Sequence, residues 1–530
     1  MERTAAGPRG FPPGGAPGPG VYHPPMAAPA PAPAPLPPRA RPRWPGAWTA
    51  ELARSPFEFV RVAATEARAR GVDLLLTRVA GRPMVAVTHP ELMREVLVTQ
   101  HRRFGRGFAH QGLRLFLGDG LLTSEDPLHR AQRRVMQPAF HRERIAAYAR
   151  TMAAAAERWH ARWAAGLPPA GQPEAELDLA ADMNALTLGI AGETLFGARV
   201  EGAAREVADA VTAALAVAPL AFLPFGRAAL ALPLPATRRF RDARGAVDRV
   251  VLGMIADRRR ARAAGADDQP DDLLAMLLDA ADPEPDAAGD APGAEPAAGA
   301  MSDAQLRDEV VTLFLAGHET TASGLAWAWH LLAQHPAEQA ALHAELDAVL
   351  SDAAGRPRTP AFDDLARLPR TRAVLQETLR LYPPAYAVGR RCVEEATLGG
   401  CRIPRGWGVF TSPWLAQRDP RYWPEPEAFR PARWLEDAPA GSEAAAARRV
   451  AYFPFGAGPR ICIGEQFAWT EMALVLATLA RWWAVRPAPG HTVGLRGAVT
   501  LRPAGGVRVV LHPRDRAGAA GDPGVQPAAG

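Results

Sequence analysis

The stretch FGAGPRICIG, residues 455–464, places Cys462 in a glycine-rich loop, with Arg460 two residues before it. Glycine there lets the backbone approach a large, flat partner. Residues 465–483 follow with a helical pattern that contains no Pro or Gly, so Cys462 lies where a loop enters a helix. Backbone N–H groups and the dipole at a helix start help a cysteine to ionise. The stretch therefore predicts a thiolate that can ligate a metal.

The spacing Phe-x-x-Gly-x-Arg-x-Cys-x-Gly resembles the haem-binding loop of cytochromes P450. A lone cysteine beside glycine is more often a small buried hydrophobe, but five matching positions within ten residues favour the ligand. The resemblance implies that Cys462 is the axial ligand of haem b iron, with Phe455, Gly456, Arg460 and Gly464 around the cofactor. It also implies a mainly α fold with small β-sheets (α+β), a single large domain with the haem between a long distal helix and the helix of the cysteine loop.

Composition narrows the class of protein further. All 61 basic residues are Arg, and a net charge of +5 on 530 residues does not indicate a nucleic-acid partner. Cys392, Cys401 and Cys462 have neither zinc spacing nor a disulfide framework, which fits a reducing cytoplasm. The sequence contains no apolar run of about 18 residues, so it predicts no membrane span. Because membrane-anchored members of the resembled family carry such a span, the resemblance implies a soluble, bacterial-type enzyme. We expect it to be a monomer in the cytoplasm.

The composition also divides the chain. Fifteen prolines among residues 1–45 predict a disordered N-terminal arm. The P450 domain is expected at 46–513, with an acidic flexible linker at 281–300 inside it and a flexible tail at 514–530.

Hydrophobic periodicity predicts several elements in the domain. Helices are expected at residues 51–70, 142–165, 177–195, 203–217 and 238–262. Residues 485–510 are expected to form a small sheet whose turn near 494–497 contacts substrate. The resemblance implies two segments over the substrate, an apolar lid at 218–235 and a loop at 104–122.

Two basic motifs match positions that bind haem propionates in the resembled family. His129 and Arg133 are four residues apart and share one face of a predicted helix, although a solvated basic face is the alternative interpretation. In PPAYAVGRRC, residues 383–392, the resemblance implies that 385–388 line the pocket and that Arg390 binds a propionate. Arg391 is the alternative for that contact.

A long helix is predicted on the distal side. From Ser302, a plausible N-cap, the pattern runs without Pro to His335. Its middle reads AGHETT, residues 316–321, which is unusual for a buried helix because a buried Glu is costly and Gly and Thr weaken helices. A threonine pair that hydrogen-bonds back to the helix at a bend would explain the motif without a function.

The AGHETT motif also resembles the oxygen-activating signature of the family. The resemblance implies that Ala316 and Gly317 let the helix widen for O₂, and that Thr320 donates a hydrogen bond to the bound oxygen. Glu319 would supply protons from solvent, because cleavage of the O–O bond with release of water needs two of them. No role is assigned to His318.

A support for the cysteine loop is predicted from three charged residues. Glu377 and Arg380 are three apart on a predicted helix, a spacing that is common for surface ion pairs. Here it matches the family's Glu-x-x-Arg, and Arg433 matches its third member. We expect the three to be buried together and to hold the loop that leads to Cys462.

The sequence thus predicts a haem-thiolate monooxygenase that takes two electrons from separate partners, a ferredoxin or a flavodoxin with its reductase. It would hydroxylate or epoxidise a hydrophobic small molecule such as a terpene or a fatty acid. The alternatives are a peroxide-driven haem peroxygenase, whose members generally lack the acid–alcohol pair, and a non-catalytic haem-thiolate sensor, which would have no use for Thr320.

Overall fold

The computed structural model describes residues 34–41, 46–167, 176–197, 235–265, 272–281, 301–436 and 442–514. Most of the predicted linker at 281–300 and the tail from 515 onward lie outside these ranges. The predicted helix at 203–217 and the lid at 218–235, except its last residue, lie outside them as well.

Helices dominate the described chain. In chain order they are α1 (Ala47–Arg54), α2 (Pro56–Ala69), α3 (Pro90–Arg94), α4 (Phe108–Leu117), α5 (Leu128–Met136), α6 (Arg142–Ala165), α7 (Leu179–Leu195), α8 (Pro235–Ala263), α9 (Leu273–Ala281), α10 (Asp303–Gln334), α11 (Pro336–Val349), α12 (Pro369–Leu381), α13 (Pro413–Ala416), α14 (Glu443–Ala451) and α15 (Glu465–Ala480).

The strands form small sheets. They are β1 (Leu74–Val79), β2 (Arg82–Val87), β3 (Phe104–Arg106), β4 (Glu176–Asp178), β5 (Val388–Cys392), β6 (Ala396–Leu398), β7 (Cys401–Ile403), β8 (Gly408–Thr411), β9 (Trp483–Pro487), β10 (Gly494–Gly497), β11 (Leu501–Ala504) and β12 (Arg508–Pro513). The largest described sheet has the order β1-β2-β8-β5-β3, in which β2 and β8 are parallel and the other pairs antiparallel. Strands β4, β12 and β9 form a second sheet, and β10 with β11 and β6 with β7 form two hairpins.

The long distal helix α10 organises the core. Ser302 caps it by accepting a hydrogen bond from the backbone N–H of Gln305, as predicted. Its 32 residues span roughly 48 Å and pack along α7, while α15 packs on α6. Trp327 and Trp329 are almost fully buried, because a helix that is apolar on all sides needs partners on all sides.

Some boundaries differ from the predictions. The helix expected at 51–70 is two helices, since Ser55 is extended before Pro56 and its side chain caps α2. The loop expected at 104–122 contains β3 and α4. The helix expected to reach 483 ends at Ala480, and the chain continues into β9.

Part of the segment predicted as a disordered N-terminal arm forms backbone hydrogen bonds with the sheets. Residues 34–41 lie against the largest sheet, where Ala40 N–H donates to Leu76 O at 2.7 Å and Leu76 N–H donates to Pro38 O at 2.8 Å. The segment also reaches the β6–β7 hairpin, because Arg402 N–H donates to Pro35 O. Proline-rich chain can pair at a sheet edge because it is already extended.

Candidate active site

A cavity of about 510 Å³ lies between α10 and the cysteine loop. Cys462 forms part of its wall, and so do Ala316, Gly317, Glu319 and Thr320 of the distal helix. The structure therefore brings together the two motifs that the sequence singled out, which lie more than a hundred residues apart.

The cysteine loop has a tight backbone. Cys462 N–H donates to Phe455 O at 3.0 Å, and Gly464 is the N-cap of α15. Gly456 and Gly458 have φ values of 78° and 74°, which favour glycine. A Cβ at Gly458 would also collide with the carbonyl oxygen of Leu97, so this glycine serves close packing against the chain after α3.

The environment of Cys462 opposes ionisation in the absence of a metal. Burial raises the pKa of its thiol to about 11, although the Gly464 N–H and the Arg133 charge act in the opposite direction. The expected help from the helix start is present in the Gly464 contact, but desolvation outweighs it. A coordinating metal deprotonates a thiol outright, and the exposed surface of Cys462 belongs to the cavity wall.

The predicted support of this loop is present and buried. Glu377 accepts hydrogen bonds from Arg380 at 2.8 and 2.9 Å, from Arg433 at 2.9 Å and from the Trp434 indole at 2.8 Å. Arg380 also donates to the carbonyl of Gln417 at 2.9 Å. The Gln417 side chain in turn accepts from Phe453 N–H at 3.1 Å, two residues before the loop, so the cluster is connected to it.

The predicted propionate-binding residues gather at one end of the cavity and beside it. Arg460 donates to Ser124 O at 2.9 Å and pairs with Glu125 at 3.3 Å. His129 is buried next to Asp126, and its pKa is lowered to about 4, chiefly by burial and then by Arg460. Arg133 donates to Ile461 O at 2.7 Å, so this side chain joins α5 to the cysteine loop.

Arg390 and Arg391 lie on different sides of β5. Arg390 is buried and lines the cavity, and burial together with Arg460 lowers its pKa to about 10. Arg391 lines only an adjoining basic groove, whereas Arg390 lines both that groove and the cavity. Alternation along the strand separates them, and of the two, Arg390 has the position that reaches a group inside the cavity.

Two further side chains, Arg106 and His110, belong to this cluster and were not predicted. Arg106 is buried, donates to Leu121 O at 3.0 Å, and has a pKa far below its usual value because of burial and the nearby Arg460 and Arg390. His110 lines the cavity with its Nδ1 buried and without a hydrogen-bond partner. The sequence holds no distinctive spacing around either residue that would have identified it.

This cluster is suited to an anionic group. Arg106, Arg390 and Arg460 lower one another's pKa values or that of His110, so the like charges repel. Such a cluster is favourable when it faces negative charge. Two carboxylates at one end of a flat macrocycle, with a thiol in the cavity wall, match this donor set, so the residues fit haem.

The distal motif lies in an unbroken helix. Thr320 donates to Ala316 O at 2.7 Å and Thr321 donates to Gly317 O at 3.0 Å, the local arrangement that the alternative interpretation predicted. A Cβ at Gly317 would meet Ala191 and Leu195 of α7 at 3.8 Å, an ordinary contact. His318 is buried against α7, whose Thr187 donates to its carbonyl at 3.0 Å.

Glu319 faces the C-terminal β10–β11 hairpin. Its carboxylate forms an ion pair with Arg502 at 2.7 Å and accepts a hydrogen bond from the Thr500 hydroxyl. The cavity is bordered here by Ala498, Val499 and Thr500. The substrate-contacting turn expected near 494–497 is thus displaced, since those residues form strand β10.

Most of the remaining cavity wall is apolar. Phe108, Phe116, Leu313 and residues 385–388 line it as predicted. Phe314, which was expected to line it, is instead fully buried in the core against Phe196. Phe222 and Phe225, also expected there, lie outside the described residues.

Comparisons with known proteins agree with this geometry. The family model described as Cytochrome P450 matches residues 38–496. Cyclooctatin synthase of Streptomyces melanosporofaciens is 38% identical over 87% of this chain and 92% of that protein. Cyclooctat-9-en-7-ol 5-monooxygenase of the same organism is 36% identical over 84% of this chain and 88% of its own length. Pentalenene oxygenase of Streptomyces avermitilis is 33% identical over 88% and 93%.

The chain belongs to the cytochrome P450 family. It is a haem-thiolate monooxygenase that uses a hydrophobic substrate, O₂ and redox partners, and it has the mainly α fold with small sheets of that family. Among the described residues, no helix is long and apolar enough to cross a membrane.

Proposed function

We propose that this protein hydroxylates or epoxidises a cyclic terpene, using haem b, with Cys462 as the axial ligand. The observation that carries the proposal is an apolar cavity bounded by Cys462 on one side and by the Glu319–Thr320 pair on the other. Relatives named as oxygenases of cyclooctat-9-en-7-ol and pentalenene, at 36% and 33% identity, support the substrate class.

Bound haem supplies the activation of O₂, and the residues of this chain do the rest. Arg106, His110, Arg390 and Arg460 bind and orient the propionates. Phe455, Gly456 and Gly464 shape the loop. His129 and Arg133 bind a propionate from α5, and Arg133 also contacts the loop through Ile461 O. This division is supported by the positions of the cations around the cavity and by the Arg133 contact to Ile461.

On the distal side, apolar residues exclude water and hold the substrate. Thr320 and Glu319 hold and move protons between solvent and the cavity, with Ala316 and Gly317 leaving space beside the helix. The hydrogen bonds from Thr320 and Thr321 to the helix backbone keep both hydroxyls in defined positions. Fixed hydroxyls are better placed to relay protons than freely rotating ones.

Electrons are proposed to come from a ferredoxin or a flavodoxin with its reductase. The groove that contains Arg391 is also lined by Arg102, Arg130 and Arg134. It shares Arg390 and Arg460 with the cavity and includes Glu125 and Asp126, but arginines predominate, so it would attract an acidic partner. We infer a monomer in the cytoplasm. Three free cysteines are consistent with a reducing compartment.

The substrate class is tested with the purified holoenzyme, a bacterial ferredoxin and its reductase. Cyclic terpene hydrocarbons and terpene alcohols are compared with fatty acids of similar size under ¹⁸O₂. We expect terpene products that carry one labelled oxygen atom. Oxidation confined to fatty acids would refute the terpene assignment, and products that require added peroxide would indicate a peroxygenase.

The axial ligand is tested by absorption spectra of the reduced protein with carbon monoxide. Wild type should show the band of a thiolate-ligated haem, and Cys462→Ala should lose it. Cys401→Ala is the matched control, because Cys401 lies in the β6–β7 hairpin, and this variant should keep the band. Retention of the band in Cys462→Ala would exclude Cys462 as the ligand.

A further inference from the structure

The C-terminal hairpin holds the acid of the distal pair at a fixed place. Arg502 Nη2 lies 2.7 Å from Glu319 Oε1, and the Thr500 hydroxyl donates to the same oxygen. Arg502 Nε also donates to Thr500 Oγ1 at 3.1 Å. The three side chains therefore close a ring. Both contacts to the carboxylate are made to Oε1, and neither is made to Oε2. We call this ring the hairpin clasp.

The hairpin that carries the clasp is anchored to the scaffold. Leu501 N–H donates to Pro384 O at 2.9 Å, and its carbonyl accepts from the Trp327 indole at 3.2 Å. The Tyr386 hydroxyl donates to Ala498 O at 2.7 Å. Because the hairpin is fixed at these points, Thr500 and Arg502 set the direction of the carboxylate rather than follow it.

The charge on Glu319 is balanced from the hairpin. Its neighbour on α10, His318, is buried, and burial lowers the pKa of that imidazole, which favours the neutral form. Glu471 of α15 lies beside Thr321, and burial raises its pKa well above the usual value, which favours the neutral acid. Within the described residues, Arg502 is the charged side chain in contact with Glu319.

The clasp also connects the distal site to solvent. The Glu319 side chain is 7% exposed, whereas that of Arg502 is 25% exposed. Thr500 is in the cavity wall, so the ring extends from the cavity to the protein surface. A carboxylate held at such a boundary is within reach of protons from outside.

We propose that Arg502, with Thr500, is a positioning residue for proton delivery that holds Glu319 as a carboxylate against the hairpin and draws it back after each transfer. A solvent proton neutralises the carboxylate and weakens its attraction to Arg502. The neutral acid turns towards Thr320 and gives that same proton to the hydroxyl oxygen, while the hydroxyl releases its own proton into the cavity. Glu319 then returns as a carboxylate. The Arg502 guanidinium stays protonated throughout. This inference rests on the proton-relay role proposed for Glu319 and Thr320.

The test uses the holoenzyme with Arg502→Leu, Arg502→Gln, Arg502→Lys and Glu319→Gln. Loss of the cation favours the protonated form of a buried carboxyl. In wild type, the fraction of electrons that reach product should fall at alkaline pH. In Arg502→Leu and Arg502→Gln this fall should therefore occur at a pH about one to three units higher. Arg502→Lys should restore most of the wild-type pH dependence of this fraction. Glu319→Gln should abolish its fall at alkaline pH.

Infrared difference spectra give a readout that does not depend on turnover. Arg502→Leu minus Arg502→Leu/Glu319→Gln should show a protonated carboxyl band at neutral pH, whereas wild type minus Glu319→Gln should not. Arg496→Leu is the matched control, because Arg496 pairs with Arg502 across the hairpin in register and is exposed. It should match wild type in both measurements.

The proposal is overturned if Arg502→Leu and Arg502→Gln keep the wild-type pH profile and show no such band. Arg502→Gln guards against a folding defect, since it keeps a donor for Thr500 without the charge. If no terpene is oxidised, the proposed substrate class fails. The infrared result still decides the clasp, because it needs no substrate.

Discussion

On the cysteine side of the cavity, Glu377 is held by groups from nearby sequence, the farthest being Trp434 at a separation of 57 residues. On the distal side, Glu319 is held by the Thr500 hydroxyl, 181 residues away. Both carboxylates are buried and both contact arginine. Glu377, however, receives hydrogen bonds from four residues, whereas the contacts to Glu319 fall on one oxygen.

This difference separates a support from a relay. A carboxylate whose two oxygens are both saturated by fixed donors cannot turn without breaking several bonds, so Glu377 is suited to hold a loop. A carboxylate held through one oxygen by a partly exposed arginine can release after a single protonation. The number of fixed donors, rather than burial alone, therefore distinguishes the roles that the two acids can have.

The largest expected effect tests the support. Glu377→Ala leaves Arg380 and Arg433 buried without their carboxylate, which should cost about 3–5 kcal/mol in the free energy of unfolding. It should also lower the haem content of the purified protein. Both are measured by denaturant unfolding and by absorbance of the haem per protein.

Glu436→Ala is the control for that experiment. Its side chain is 60% exposed and pairs with Arg430 at 3.3 Å, so its loss should cost no more than about 1 kcal/mol. Equal losses in the two variants would contradict the distinction between a buried support and a surface pair.

The second prediction concerns the relay. Thr320→Ala removes a hydroxyl that lines the cavity and should lower product formation by about 10²-fold, the lower end of what a positioned proton donor contributes. Electron consumption should continue, with peroxide as the product. The ratio of product to NAD(P)H consumed measures this uncoupling.

Thr194→Ala is the matched variant, because Thr194 is buried and donates in the same way to Ile190 O on the neighbouring helix α7. Its coupling ratio should equal that of wild type. If Thr320→Ala also retained full coupling, the proton-relay role would be refuted. The AGHETT motif would then be explained by the alternative interpretation, a threonine pair that only hydrogen-bonds to the helix backbone.

The third prediction, the smallest when expressed per pH unit, is a pH dependence of stability on the distal side. Glu309 of α10 accepts from Leu121 N–H at 2.8 Å, and burial raises its pKa to about 8. A carboxyl whose pKa is raised by folding stabilises the fold at pH values below its pKa in the unfolded chain. That stability is lost as the pH rises through its pKa in the folded protein. Between roughly pH 5 and 8 the wild type should lose at most about 1.4 kcal/mol per pH unit from this group.

Glu309→Gln keeps an acceptor for Leu121 and does not titrate, so its unfolding free energy should vary less over this range. Urea unfolding at several pH values checks the prediction for both proteins. A slope shared by wild type and Glu309→Gln would show that this carboxyl does not titrate with folding.

Much of the site was predictable because its residues lie in short motifs. The ten-residue cysteine loop, the His129–Arg133 and Glu377–Arg380 pairs and the AGHETT helix have spacings that follow from local geometry. Arg106 and His110 were missed because they lie in a segment interpreted as a loop, where no periodicity relates them to Arg390 or Arg460. The clasp was missed because Arg502 is one arginine among many in a hairpin strand.

Some predicted limits of elements and of the cavity lining were wrong because contacts with distant segments set them. Residues 34–41 resemble a disordered arm in composition, and a sheet edge orders them through backbone hydrogen bonds. The helix after Gly464 ends at Ala480 because the chain enters β9, which pairs with β12. Phe314 is as apolar as Leu313, and the rotation of α10 sends one to the core and the other to the cavity.

The sequence by itself determined the family, and it predicted the cysteine ligand and the chemistry at the distal helix, because thiolate ligation and a helical acid–alcohol pair need residues close together in the chain. Only the tertiary structure decided which cations gather at the cavity, why Arg390 rather than Arg391 faces it, and which hairpin holds Glu319. These features depend on contacts between segments more than a hundred residues apart, and no local pattern encodes such contacts.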